Sequence, residues 1–164
     1  ESLVDEVIQQ SRQTVADVRR LVHGLRPPVL DQLGLIDAVR DLARNHSDGP
    51  ALEIVAPPDG LPQLPAAVEV NAYRILLEAW NNAVRHAHAS RCLVKFLAEK
   101  NVLVISIQDD GVGMPKDYRA GVGLRSMRAR AEEIGGHLSV DPVQPHGTRI
   151  TARLPLSSQG GHTK

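Results

Sequence analysis

The sequence holds one cysteine, Cys92, which excludes an internal disulfide and a metal cage built from thiolates. It also lacks net charge. Nineteen basic residues stand against nineteen acidic ones, so no broad field favours nucleic acid or an anionic membrane, and any phosphate binding has to be local. No apolar run approaches the roughly 18 residues that would suggest a membrane span, and no membrane contact is expected of these residues. A signal-peptide pattern is missing too, and Glu1 reads as the middle of a helix, so a cytoplasmic piece of a longer protein is expected. Cys92, among apolar neighbours, reads as a small core residue. What remains is ordinary: 164 residues, 42% hydrophobic and 23% charged, suit one globular domain with some attached helix.

From Val4 the apolar positions Val4, Ile8, Val15, Val18, Val22 and Leu25 alternate in steps of three and four, with Ser11 as the polar member. That heptad seam buries one narrow stripe and needs a partner helix. Gly24 and Pro27-Pro28 break it. A second helix follows on Leu35, Val39, Leu42 and Ala43, with Asp31 as its expected cap. The composition then shifts to Gly, Pro, Asp and Ser around ALEIV, a loop-strand-loop pattern that places a domain boundary near residue 48. Ala66 to Ala89 give the longest helical pattern. Its apolar side carries Tyr73, Leu76, Leu77, Trp80, Val84 and Ala87, and its polar side Arg74, Glu78, Asn82 and His86. RCLVKFLA and VLVISIQ read as strands, Leu124, Met127, Ala131 and Ile134 as a helix stopped by Gly135-Gly136, and HLSVD and TRITARLP as two more strands. The order predicts an α+β fold, a two-layer sandwich with a mixed, mainly antiparallel sheet covered by helices on one face. The polar tail 158–164 is expected to be disordered.

Four constellations carry chemistry. In EAWNNAVRHAHAS, Glu78, Asn82 and His86 recur every four residues and point one way. An amide oxygen there suits a hard cation, and the carboxylate can order water or take a proton. In DDGVG, the carboxylate of Asp109 ends an apolar strand, and Gly111 and Gly113 follow where backbone can approach a ligand. Gly121, Gly123 and Leu124 open a helix whose free amides favour phosphate. His146-Gly147-Thr148 precedes the last strand. Each alone has a bland counterpart: a solvated helix face, a turn, a helix start, a hairpin entry. The glycines form neither a Walker loop nor a complete dinucleotide fingerprint.

In this order and spacing the four pieces resemble the N, G1, G2 and G3 boxes of the histidine-kinase ATPase domain, in the superfamily of gyrase, heat-shock chaperone and MutL. LRPPVLDQLGLIDAV and GLRSMRARAEEIGG are similar to segments of the nitrate-sensor-like and DesK-like sensor kinases, with Ala129 where Glu is common. The likeness runs from about Val15 to Leu156. It implies ATP and Mg²⁺ as cofactors, with Asn82 holding the metal and Glu78 the acidic residue near the triphosphate. It makes Arg85 and His86 phosphate-side neighbours and Asp109 the reader of adenine. Gly111 and Gly113 would close on the base, Gly121, Gly123 and Leu124 would edge the lid, and Thr148 with Gly147 would lie at the pocket floor.

Two features depart from the family pattern. Seven residues, Met114 to Ala120, separate the G1 and G2 boxes, so the lid is short and has no phenylalanine box. The family's phosphoacceptor histidine is followed by Asp or Glu, whereas the seven histidines here precede Gly, Ser, Ala, Ala, Leu, Gly and Thr. His23, His46, His137 and His162 take no catalytic part in this reading. The resemblance therefore implies an acceptor helix upstream of residue 1. It divides the chain into residues 1–47, the second dimerisation helix and a linker helix, and residues 48–157, the ATP-binding catalytic domain. It implies a kinase that phosphorylates its own acceptor helix and passes the phosphoryl group to the aspartate of a response regulator. The proton acceptor is either the acidic residue beside that histidine or Glu78. The parent is expected to be a homodimer, either soluble or anchored in the inner membrane, with this end in the cytoplasm. An ATP-hydrolysing machine, an anti-sigma-factor serine kinase and a docking module without nucleotide are the competing readings.

Overall fold

The structure, a computed structural model, describes residues 25–46, 48–114 and 121–157. The heptad seam before Leu25, His23, most of the expected lid and the 158–164 tail lie outside the described residues. Helix α1 covers Pro28–Arg44, β1 Ala51–Val55, α2 Ala66–Arg85, β2 Arg91–Glu99, β3 Val102–Asp109, α3 Val122–Glu133, β4 His137–Pro142 and β5 Thr148–Pro155. The strands form one sheet in the order β1-β2-β3-β5-β4. All neighbours are antiparallel except β1 and β2. That exception follows from connectivity: β1 and β2 are joined through α2, and a helical crossover returns a strand parallel to its predecessor, whereas β2 and β3 are joined by a tight link.

One face of the sheet is covered. Cys92, Val94 and Phe96 of β2, Leu103, Ile105 and Ile107 of β3, and Ile150, Ala152 and Leu154 of β5 alternate into a single core with Trp80, Leu76, Met127 and Val39 from the helices. The intervening strand positions, such as Lys95, Ser106 and Thr151, are not buried, as period-two patterning requires. Trp80 is only 1% exposed, and a buried ring of that size contributes on the order of 2–3 kcal/mol.

Helix α1 begins behind Pro27, with Pro28 at the position where a missing amide costs nothing. Asp31 does not cap it; its carboxylate accepts from Arg26, whose guanidinium also reaches Glu69 of α2. Gly34, at φ 71°, breaks α1 into two helical pieces, which lets Leu30 on one side and Leu35, Ala38, Val39 and Leu42 on the other face the same core. Packing therefore runs across residue 48, since this helix and the sheet share one core. Helix α2 stops at Arg85, short of the expected Ala89. Asn82 O receives the amides of both His86 and Ala87, and Val112 N–H captures Ala87 O, so the chain end is taken over by the loop after β3. None of the described helices is long and apolar enough to cross a membrane.

Candidate functional site

At the end of the sheet where β3 finishes and β5 begins, α2 and α3 diverge and leave a cavity of about 500 Å³. That volume suits a small organic ligand. One wall is Asn82, His86 and Ala87 from the end of α2; another is Leu124 and Met127 from the first turns of α3. Asp109 and Thr148 line it from the ends of β3 and β5, and Val112, Gly113, Met114, Val140 and Ile150 make the remaining lining largely apolar.

The two adjacent aspartates do different work. Asp109, the last residue of β3, faces the cavity and accepts from the amide of Gly111 at 2.9 Å. Burial pushes its carboxyl above the ordinary carboxylate range, while the Gly111 and Thr148 amides pull it down. A half-buried acceptor fixed by backbone donors, among apolar neighbours, can read an amino group on a planar base. Asp110 turns away. It accepts from the amides of Ser90 and Arg91 at 2.7 and 2.8 Å, and the Arg91 amide above all holds its carboxyl below the ordinary range. Asp110 thus ties the start of β2 to the end of β3, a structural function that the DDG pattern alone did not separate from that of Asp109.

Close approach decides the glycines on this side. A Cβ on Gly111 would lie 2.3 Å from Ala87 O, and one on Gly147 would lie 2.1 Å from Asp109 O with φ at +117°. Gly111 is therefore needed to seat the loop against α2 and does not itself line the cavity; Gly113, at φ +75°, does. His146 bonds Gly111 O through Nδ1 at 3.1 Å and so fastens the β5 entry to the same loop.

The expected polar stripe on α2 is divided. Asn82 and His86 open on the cavity, but Arg85 is exposed and outside its lining, and Glu78 lies on the other side of the α2–α3 seam. There the Glu78 carboxylate packs on α3, since a Cβ on Gly123 would meet its Oε1 at 2.2 Å. Gly121 caps α3 in extended backbone, without a side-chain bond, so the first-turn amides have no side-chain cap. Gly121 and Gly123 also lie outside the lining. Missed by the motif reading were the apolar walls Met127, Val140 and Ile150. Their signal was their place on inward-facing strand and helix positions, which reads as core until the helices are seen to part.

Residues 67–158 match the family described as histidine kinase-, DNA gyrase B- and HSP90-like ATPases. The chain is 33% identical over 161 residues to the sensor histidine kinase MctS of Rhizobium johnstonii, covering 94% of this chain and 35% of that protein. It is 36% identical over 155 residues to the signal transduction histidine-protein kinase/phosphatase UhpB of Salmonella typhimurium, covering 92% of this chain and 30% of that one. The chain thus spans about a third of the length of these curated relatives. Among solved structures, the ATP binding domain of PrrB from Mycobacterium tuberculosis aligns with a TM-score of 0.59 at 25% identity, over 76% of this chain and 92% of that one. A blue-light activated histidine kinase of Erythrobacter litoralis shares the fold, with a TM-score of 0.64 at 21% identity over 75% and 41% of the two chains.

Proposed function

Because the chain belongs to the family of histidine kinase-, DNA gyrase B- and HSP90-like ATPases, we propose that it is the ATP-binding catalytic part of a sensor histidine kinase. The parent would transfer the γ-phosphate of ATP to a histidine on an upstream helix for relay to a response-regulator aspartate. The observation that carries this reading is Asp109: a carboxylate held by the Gly111 amide in a largely apolar cavity that Asn82 and His86 also line. In this reading residues 1–47 form the dimerisation helix and linker, residues 48–157 the catalytic domain, the parent is a homodimer and the domain works in the cytoplasm.

Adenine would lie flat between the Leu124–Met127 wall and the Val112–Met114 segment, its amino group donating to Asp109, with Thr148 beside it. The phosphates would extend towards Asn82, His86 and the uncapped amides at Gly121 and Gly123. Among the described residues no group of three or more His, Cys, Asp or Glu could hold a metal. The amide oxygen of Asn82 therefore fits Mg²⁺ only as part of a Mg-nucleotide, in which phosphates and water complete the shell. The ion would neutralise phosphate charge. Asn82 would orient the triphosphate, the apolar walls would exclude water from the base, and the first turn of α3 would hold the phosphate end, so that positioning supplies most of the rate. Glu78, packed on Gly123, would set the spacing of α2 and α3; Arg85 would reach phosphate only from outside the cavity.

Calorimetric titration with Mg-ADP tests the reading. Binding in about the micromolar range, weakened about 100-fold by Asp109→Ala, is expected. No binding by the unmutated chain, or equal binding by the variant, would overturn it.

A further inference from the structure

Glu78 borders a second cavity, of about 540 Å³, on the far side of the α2–α3 seam. Its donors outnumber its acceptors. Arg74 and Asn81 come from α2, Ser126 and Arg130 from α3, and all four line the space. Arg74 donates to the carbonyl of Leu25 at 2.8 Å, yet its Nε is buried with no partner among the described residues. Arg130 lies close enough to act on it: the Arg74 guanidinium is held below its ordinary pKa by burial first and by the charge of Arg130 second. Glu78, the carboxylate in the wall, forms no ion pair with either arginine, and no described carboxylate lies within 4.0 Å of them.

Three guanidiniums line the cavity; Arg26 is already paired with Asp31 and Glu69, whereas Arg74 and Arg130 have no carboxylate paired to them among the described residues, an arrangement that a bound anion would complete. Planar guanidiniums suit the paired oxygens of a carboxylate or phosphate. Apolar groups fill the wall between the charged ones: Leu25, Pro27 and Pro28 on the strap before α1, Tyr73 and Leu77 on α2. We propose that this second cavity is a binding site for an oxyanion, carboxylate or phosphate, carried on an apolar body, with Arg74 and Arg130 as its charged donors. The site is separate from the first cavity and does not depend on the nucleotide reading. Its occupant would brace α2 against α3, the two helices that also wall the first cavity.

The direct test is calorimetric titration of the chain with phenyl phosphate at fixed ionic strength, beside inorganic phosphate. One saturable site is expected, with phenyl phosphate binding more tightly because it also covers the apolar wall. Arg130→Gln should weaken binding about tenfold or more, Arg130→Lys should weaken it less, and Asp109→Ala should leave it unchanged. Arg130 has no partner among the described residues, so both Arg130 variants should keep the far-ultraviolet dichroism of the unmutated chain; if Arg130→Gln does not, Arg130→Lys alone decides. Absence of saturation, binding indifferent to Arg130, or loss in Asp109→Ala alone would overturn the proposal. Equal affinity for the two phosphates would overturn the apolar part.

Discussion

The two walls of the first cavity are built by different means. The strand-end wall, from Asp109 to Met114 with Gly147 and Thr148, is assembled from backbone. The amide of Gly111 fixes Asp109, Asp110 holds the start of β2, and two glycines sit where a methyl group would strike a carbonyl. The α3 wall is held by side chains: Leu124, Met127 and Ala131 are buried under the helix, and Gly123 rests on the flexible end of Glu78. Backbone contacts cannot rotate away, whereas a carboxylate can. At its glycines the first wall should therefore tolerate no added atom, and the second should yield.

The largest effect is expected at Gly147. Its φ of +117° disfavours any other residue, and a Cβ there would stand 2.1 Å from Asp109 O. Strain and overpacking together should cost about 3–5 kcal/mol, a fall in Tm of about 10 °C or more. A thermal scan of Gly147→Ala that matches the unmutated chain would show that the wall is softer than its contacts imply.

Asp109→Asn separates binding from stability within the same wall. The amide oxygen still accepts from Gly111 but reads an amino group poorly, so Mg-ADP affinity should fall about 100-fold. Stability should move the other way. A carboxyl whose native pKa is raised above 3.8 binds protons more readily folded than unfolded, so its contribution declines as pH rises through the native value. At pH 7 the full penalty stands, and the asparagine removes it. Urea unfolding should show the variant at least as stable as the unmutated chain at pH 7, with the difference shrinking as pH falls into the acid range.

Asp110 gives the mirror image. Its native pKa lies below 3.8, so its stabilisation is fully present above the unfolded value and is lost as pH falls through the native one. Asp110→Ala leaves two amides without their acceptor and should cost about 2 kcal/mol at pH 7, with Mg-ADP affinity changed far less than in Asp109→Asn. If both variants lost nucleotide equally, the division of labour between the neighbouring aspartates would fail.

Sequence periodicity disclosed the strands and helices because one face of a single sheet is covered: period two in VLVISIQ and spacing of three and four in Leu124–Ala131 report the same core from both layers. It also disclosed Asp109, since a carboxylate after an apolar strand stands at the end of the sheet. Less legible was the partition of α2. A four-residue repeat puts Glu78, Asn82 and His86 on one stripe, but a helix wedged between two openings has two sides, and only the position of α3 shows that Glu78 belongs to the second. Which strand supplies the parallel pair of the expected mixed sheet was less legible for a similar reason. ALEIV has a strand's composition, and direction depends on the long connection through α2. The reason for Gly111 lay in Ala87, a residue with no motif of its own.

The smallest effect is expected at Gly123, and it is the one that tests the contrast between the walls. A Cβ there would stand as close to an oxygen, 2.2 Å, as at Gly147. The oxygen, however, is Oε1 of Glu78, which a side-chain rotation moves aside, and no positive φ adds strain. Alanine in a first helical turn also recovers up to about 1 kcal/mol of the helix propensity that glycine forgoes. Gly123→Ala should therefore melt within about 3 °C of the unmutated chain and keep Mg-ADP affinity within about threefold, since the backbone amide of residue 123 is unchanged. A loss as large as that of Gly147→Ala would mean that Glu78 is held as firmly as backbone. The second cavity would then owe its shape to a rigid Glu78–α3 contact, and the two walls would form one unit.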